Sequence, residues 1–334
     1  YERVKKSNFG VVIGYYSQKD IIKRPTPLYT DDLLTDLIKL TGYTATRLLR
    51  IAEELYSEGY ISYPRTETNK YPKNFNFSRY LGVVLKSPIG GEIANKIHNT
   101  ALPRNGRKDD GAHLPIYPVN SYRKENSIKW KVWEYIARRF VANAFCDDAY
   151  ALKQRLEIKI EPLTFSCMGL KIIKPGFLEI FPYFSPKERI IPEGKVGERV
   201  KIISVGLRKE KTKPPPRYSE FELLRELEKN GIGTDATRAT YPKIIIERKY
   251  AERVKGVFKP TKLGRAIIDA LEMVEKRLVT PETRRYVEKL MKQVEEGKID
   301  LKTAFKVSKA EYRELFELSL IHISEPTRPL YISY

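Results

Sequence analysis

Two distant stretches of the chain are written to one plan, and any fold must accommodate both. In the first, Pro25-Thr26-Pro27 marks a boundary and Thr30 followed by Asp31 and Asp32 reads as a helix start with acids in its first turn. That helix is predicted to run to about Leu40. Gly42-Tyr43-Thr44 breaks it, and a second helix carries Leu48, Leu49, Ala52 and Leu55 at helical spacing until Gly59. In the second stretch, Ser219 caps a helix to about Lys229, Gly231-Ile232-Gly233-Thr234 turns the chain, a helix is predicted over 235–248, and residues 250–258 read as a hairpin around Gly256. Ala45-Thr46-Arg47 and Ala236-Thr237-Arg238 each open the second helix of their copy. Helix, tight turn, helix and hairpin form a winged-helix-like layout often used on nucleic acids, although simple helical-hairpin packing produces the same pattern.

The text between the copies is different. Residues 128–145 read as an amphipathic helix whose apolar side holds Trp130, Trp133, Ile136, Phe140 and Val141, with both tryptophans in the core. From about 150 to 206 the alternation of Leu152, Leu156, Ile158 and Ile160, and later Val200, Ile202 and Val205, predicts strands, as does the opening run Phe9–Tyr16. Lys211-Thr-Lys-Pro-Pro-Pro216 reads as a stiff basic linker, and beyond Gly264 the chain is predicted helical through 300. A multidomain α+β protein is the expectation, and 334 residues suit two or three domains.

Lys and Arg number 62 against 42 acids, a formal net charge of +20. A surplus of that size on a folded chain points to a polyanion, because each neutralised phosphate releases counterions, although a soluble surface alone can also be basic. No run of about 18 apolar residues and no basic-then-apolar leader is present, so the expectation is a cytoplasmic protein with no membrane partner. Two cysteines, Cys146 and Cys167, and three histidines cannot build a disulfide framework or a four-cysteine zinc site, so no metal is expected on this chain. The chain opens at Tyr1 without methionine and is read as a fragment. Leu318 to Arg328 resembles the translated adapter of a sequencing library, so 318–334 are left out of the fold reasoning. Setting His322 aside leaves His98 and His113 as the imidazoles available to a mechanism.

The stretch that carries chemistry is Gly59-Tyr-Ile-Ser-Tyr-Pro-Arg-Thr-Glu-Thr68. Pro64 removes a backbone donor and pushes Tyr63 toward extended geometry, and a period of two then puts Tyr63, Arg65 and Glu67 on one face. A phenol beside a guanidinium suits phosphoryl transfer. The phenol is a weak nucleophile until positive charge favours phenolate, and the guanidinium can hold the non-bridging oxygens as charge builds on phosphorus. Spacing alone does not separate this from a surface tyrosine beside a salt-bridged arginine, in a chain with 22 tyrosines.

That segment resembles the active-site tyrosine motif of type IA DNA topoisomerases. Asp110-Gly-Ala-His-Leu-Pro-Ile-Tyr-Pro118 is similar to the family's histidine-proline motif. Pro214-Pro-Pro-Arg-Tyr-Ser219 with Gly231-Ile-Gly-Thr-Asp-Ala-Thr-Arg238 is similar to its Pro-Pro-x-Arg and Gly-Ile-Gly segments, in the form found in the topoisomerase III branch, including archaeal members. Order and spacing agree over about 1–315. Glu67 stands where many relatives carry aspartate.

The resemblance implies a toroid core with winged-helix-like helical domains and a β-rich arch. Residues 1–24 and 147–206 would form the arch, 25–146 the tyrosine-bearing domain and 207–317 a helical base. It implies an ATP-independent isomerase in which Tyr63 attacks a phosphodiester, keeps the 5′ phosphate and leaves a 3′ hydroxyl. Arg65 and His113 would assist, the first at the transition state and the second on the scissile phosphate. Ser62, Thr66, Glu67, Gly231, Gly233, Thr234, Thr237 and Arg238 would line the DNA, with Thr237 and Arg238 at a helix start suited to phosphate. Lys70, Tyr71, Lys73, Phe75, Phe77, Arg79 and Tyr80 are candidates to hold single-stranded DNA, although hairpin core and rim is the reading that the residues themselves favour. The partners implied are single-stranded or underwound DNA and a Toprim domain outside this chain that carries Mg2+, with a monomeric, nucleoid-associated enzyme. The topoisomerase half of a reverse gyrase and a non-catalytic winged-helix DNA-binding protein are the alternatives.

Overall fold

The computed structural model describes residues 2–98, 100–234 and 237–324. In chain order the elements are α1 (Glu2–Lys5), β1 (Phe9–Ile22), α2 (Thr30–Thr41), α3 (Ala45–Ser57), α4 (Phe77–Leu85), α5 (Gly90–Ile93), α6 (Ile128–Ala144), β2 (Ala149–Ile160), β3 (Leu163–Lys174), β4 (Arg199–Lys201), α7 (Glu220–Lys229), α8 (Tyr241–Glu247), β5 (Ala251–Val254), β6 (Val257–Pro260), α9 (Lys262–Val274), α10 (Glu282–Glu295) and α11 (Leu301–Ser324). The mixture of helices and antiparallel sheet is the α+β architecture the sequence predicts. α11 runs through the start of the adapter-like tail, whose residues 325–334 lie outside the described residues.

The chain divides into two compact units, one of residues 1–29 and 51–215, the other of 30–50 and 216–334. The first unit is built on a four-stranded antiparallel sheet in the order β3-β2-β1-β4. The β1–β2 register runs from Val11 opposite Lys159 to Ile22 opposite Ala149, and Val12, Leu156 and Ile191 pack together. Its spine is α6. Ser127 caps it by accepting from the Trp130 N–H at 3.1 Å, and almost every residue from Val132 to Ala144 is buried, as in a helix apolar on all sides. Even its two arginines are buried: Arg138 donates to Glu92 at 2.7 Å and to the Ile180 carbonyl at 3.1 Å, and Arg139 donates to the Thr26 carbonyl at 3.2 Å.

In the second unit α2 buries Leu33, Leu34, Leu37 and Ile38 and packs on α7. Ser219 and Glu222 form a reciprocal capping box at the start of α7. The buried Glu220 carboxylate accepts from the Ala45 N–H at 2.7 Å, satisfying an open donor at the start of α3, and pairs with Arg253 of β5 at 3.1 Å. The β5–β6 hairpin follows α8 as the second copy of the plan predicts. The first copy differs. Its chain does not fold into a hairpin after α3; instead residues 60–62 pair with 117–119, through the Ser62 N–H to the Tyr117 carbonyl at 3.0 Å and the Val119 N–H to the Tyr60 carbonyl at 2.9 Å. Pro64 ends that pairing because it offers no donor.

Candidate active site

Gly59 aims the tyrosine segment. It lies just past α3 at φ +80°, a left-handed position that glycine takes without penalty. Its N–H donates to the Tyr56 carbonyl and that of Tyr60 to the Leu55 carbonyl, closing the helix C-terminus. From Tyr63 to Thr68 burial then alternates, with Tyr63, Arg65 and Glu67 toward solvent and Pro64, Thr66 and Thr68 buried. This is the period of two that the sequence predicts.

Tyr63 is 37% exposed. Its ring stacks on His113, centroids 5.0 Å apart and planes at 29°, and meets Tyr56 edge-on at 5.3 Å. Arg65 holds Glu53 of α3, with Nε and a terminal nitrogen each 2.6 Å from one carboxylate oxygen. Both residues belong to the first unit.

Asp110 fastens the histidine loop to this segment. One of its carboxylate oxygens accepts from the backbone N–H groups of Ala112 at 3.0 Å and His113 at 2.8 Å. The other accepts from the Glu67 N–H at 3.2 Å, lies 3.4 Å from the Thr66 hydroxyl and 3.2 Å from His113 Nδ1. Burial pushes this carboxyl up, but the backbone donors of His113 and Ala112 and the side-chain donors outweigh it and bring the pKa down to about 2. Beside His113 opens a cleft of about 510 Å³, lined among others by Thr68, Lys70, Lys73 and Asn105.

Ser62 does not face this cleft. Its hydroxyl donates to the Pro115 carbonyl at 3.0 Å and accepts from the Tyr117 N–H at 2.9 Å, so it clips backbone to backbone. Of the two readings of the nearby aromatic residues, core packing is the one the structure shows. Tyr71 is 3% exposed, and Tyr71, Phe75, Phe77 and Tyr80 pack on one another and on Tyr117 and Phe140. Their apolar area is better satisfied by mutual burial than by solvent. Burial raises the Tyr71 phenol well above its usual range. Lys70, Lys73 and Arg79 remain exposed.

The Gly-Ile-Gly turn belongs to the second unit. Gly231 and Gly233 take φ +63° and +73°, and a Cβ on Gly233 would stand 2.8 Å from the Tyr241 ring. The Thr234 N–H donates to the Thr237 hydroxyl at 3.0 Å, and both threonines are exposed. Arg238 is 4% exposed. Its guanidinium donates to the carbonyls of Ile232 at 3.1 Å and Gly233 at 2.7 Å and pairs with the buried Asp31 of α2. The expectation that Arg238 greets phosphate at a helix start is therefore corrected. Residues 238–240 form a single 3₁₀ turn, α8 starts only at Tyr241 because Pro242 suits its first turn, and Arg238 is an internal tie for the loop. Asp235 and Ala236 lie outside the described residues.

A family model described as DNA topoisomerase matches residues 1–306. The chain belongs to the type IA DNA topoisomerase family. It is 35% identical over 291 residues to DNA topoisomerase 3-beta-1 of Mus musculus, covering 85% of this chain and 34% of that one. It is 31% identical over 315 residues to DNA topoisomerase 1 of Methanothermobacter thermautotrophicus, covering 94% and 44%. The fold also matches full-length topoisomerase I from Thermotoga maritima, with a TM-score of 0.78 at 23% identity over 95% of this chain and 54% of that one. The chain thus spans between about a third and a half of the length of these curated relatives.

Three acids to which the motifs gave no role organise groups to which they did: Glu53 with Arg65, Asp110 with His113, and Asp31 with Arg238. Asp110 carried a signal, since Asp-Gly-Ala-His is the spelling of a turn whose carboxylate accepts from the next backbone donors. Glu53 and Asp31 carried none, because their partners are met only through the fold.

Proposed function

We propose that the chain is the strand-cutting part of a type IA topoisomerase. The Tyr63 phenol gives up its proton and its oxygen attacks phosphorus in one DNA strand, the bond to the 3′ oxygen breaks, the 3′ oxygen takes up a proton in its place, and the 5′ phosphate stays on Tyr63. Reversal by the 3′ hydroxyl rejoins the strand. One phosphodiester is exchanged for another, so ATP has no part in the balance, and passage of a second strand through the gap changes DNA topology. The observation that carries this reading is an accessible Tyr63 stacked on His113, on a segment that also turns Arg65 outward. Arg65 would leave Glu53 for the phosphate, and its planar donors suit the non-bridging oxygens. His113 would hydrogen-bond the same phosphate. Thr66 and the Glu67 backbone N–H hold the segment to Asp110, Gly231 and Gly233 shape a second DNA-facing loop that presents Thr234 and Thr237, and Arg238 ties that loop from inside.

The resemblance also implies Mg2+. Among the described residues no three His, Cys, Asp or Glu side chains gather where a metal ion could be held. The described residues of this chain do not fit the ion. The reading assigns it to a Toprim domain outside this chain. The domain limits proposed are those of the sequence reading, with the arch at 1–24 and 147–206, the tyrosine domain at 25–146 and the base at 207–317. The +20 charge supports a single-stranded or underwound DNA substrate. No helix among the described residues is long and apolar enough to cross a membrane, and a monomer at the nucleoid is the working location.

The test is binding of a labelled single strand by this chain across a salt series. The reading expects affinity that falls steeply with salt, by orders of magnitude between about 50 and 200 mM. Weak binding indifferent to salt would contradict it.

A further inference from the structure

The polar contacts of one carboxylate stand out from the rest of this site. Asp110 takes up donors from two separate stretches: the backbone of Glu67 at 3.2 Å on the tyrosine segment, and the backbone of Ala112 and His113 at 3.0 and 2.8 Å on the histidine loop. Its own N–H donates to the buried Thr68 hydroxyl at 3.0 Å, a further tie to the tyrosine segment. The Thr66 hydroxyl lies 3.4 Å from the same oxygen that accepts from Glu67, and His113 Nδ1 lies 3.2 Å from it. We infer that Asp110 is a positioning residue: it fixes His113 in the tautomer that carries its proton on Nδ1, leaves Nε2 as the atom through which the imidazole meets DNA, and through the ring stack sets the direction of Tyr63.

The tautomer follows from chemistry. An ionised carboxylate can only accept, so a nitrogen at hydrogen-bond distance from it must be the donor. The carboxyl is ionised throughout the working range because its donors hold it near 2. An exposed imidazole without such a partner prefers the proton on Nε2, so the assignment has a visible consequence. Any proton that His113 gains or gives up is then exchanged at Nε2. The stack at 5.0 Å passes the ring's orientation to Tyr63, whose other neighbour, Tyr56, meets it only by an edge.

This role rests on the topoisomerase reading, and two measurements separate the two. Long-range ¹⁵N–¹H spectra of the chain at alkaline pH contain three imidazoles, and His113→Gln assigns one of them. The expected result is a protonated Nδ1 on His113 that reverts to the Nε2–H form in Asp110→Asn. A wild-type His113 with its proton on Nε2 overturns the inference without recourse to any variant. In the complete gene product, Asp110→Asn is expected to slow formation of the DNA adduct about 10–100-fold at saturating DNA, with half-saturation changed by less than about threefold. An unchanged rate overturns the role of Asp110 while the wild-type adduct upholds the nucleophile. No adduct from the wild-type protein overturns the nucleophile reading, and the positioning role of Asp110 falls with it.

Discussion

Tyr63 and His113 lie 50 residues apart in sequence, yet their rings stack at 5.0 Å between centroids. The stack exists because Asp110 bonds to the backbone on both sides of it, at Glu67 and at His113. Both rings stay accessible, Tyr63 at 37% and the His113 side chain at 43% exposure.

Arg65 is expected to act on the reaction rather than on binding. Arg65→Ala should lower adduct formation by about a hundredfold, the scale of one donor lost from a transition-state cradle, and change DNA affinity only a few-fold. Rapid-quench measurement of cleavage beside equilibrium binding checks this. Loss of affinity with the cleavage rate intact would make Arg65 an ordinary backbone contact.

Asp110 should also make the protein sensitive to acid. Its folded pKa of about 2 lies below the ordinary 3.8, so the group stabilises the fold above about pH 4, and the contribution is lost as pH falls toward 2. Allowing for solvent screening of a partly exposed carboxylate, the amount is about 1–2 kcal/mol. Urea unfolding at pH 5 and pH 2.5 should show Asp110→Asn losing less stability across that interval than the wild type.

The Arg238–Asp31 pair is buried at both ends, each side chain 5% exposed. Arg238→Met takes the guanidinium away from the buried Asp31 carboxylate and should cost about 3–5 kcal/mol. Arg238→Met with Asp31→Leu should regain a large part of that. Denaturant midpoints of the two variants decide the matter, and equal losses would mean that the pair is not what holds the Gly-Ile-Gly turn.

Gly233→Ala is expected to destabilise the same turn by more than about 1 kcal/mol. The φ of +73° disfavours a side chain, and the new Cβ would meet the Tyr241 ring at 2.8 Å. Gly231→Ala, with a left-handed φ but only the Arg285 side chain at 4.0 Å, should cost less. Thermal unfolding of the two variants side by side gives the comparison.

Much of this is legible in the chain's own spelling, and the misses share a cause. Pro64 and the period-two alternation place Tyr63, Arg65 and Glu67 outward because both are local backbone effects. The helix start at Thr30, the cap at Ser219 and the breaks at Gly42, Gly59 and Gly231 are local in the same sense. Tyr71, Phe75, Phe77 and Tyr80 read both ways because a row of aromatics beside lysines looks the same whether it faces a base or a core. Only the partners Tyr117 and Phe140, far along the chain, decide it. Arg238 likewise reads as a phosphate ligand until the fold brings Asp31 to it from 207 residues away.

The most direct test of the whole account is a trapping experiment on the complete gene product. It is incubated with magnesium and an internally labelled single strand, denatured, and examined for DNA-linked protein, with Tyr63→Phe alongside. The account predicts an adduct in the wild type, linked through a 5′ phosphate and absent from Tyr63→Phe although that variant still binds the strand. An adduct of equal yield in Tyr63→Phe, or tight binding with no adduct from either protein, would contradict it.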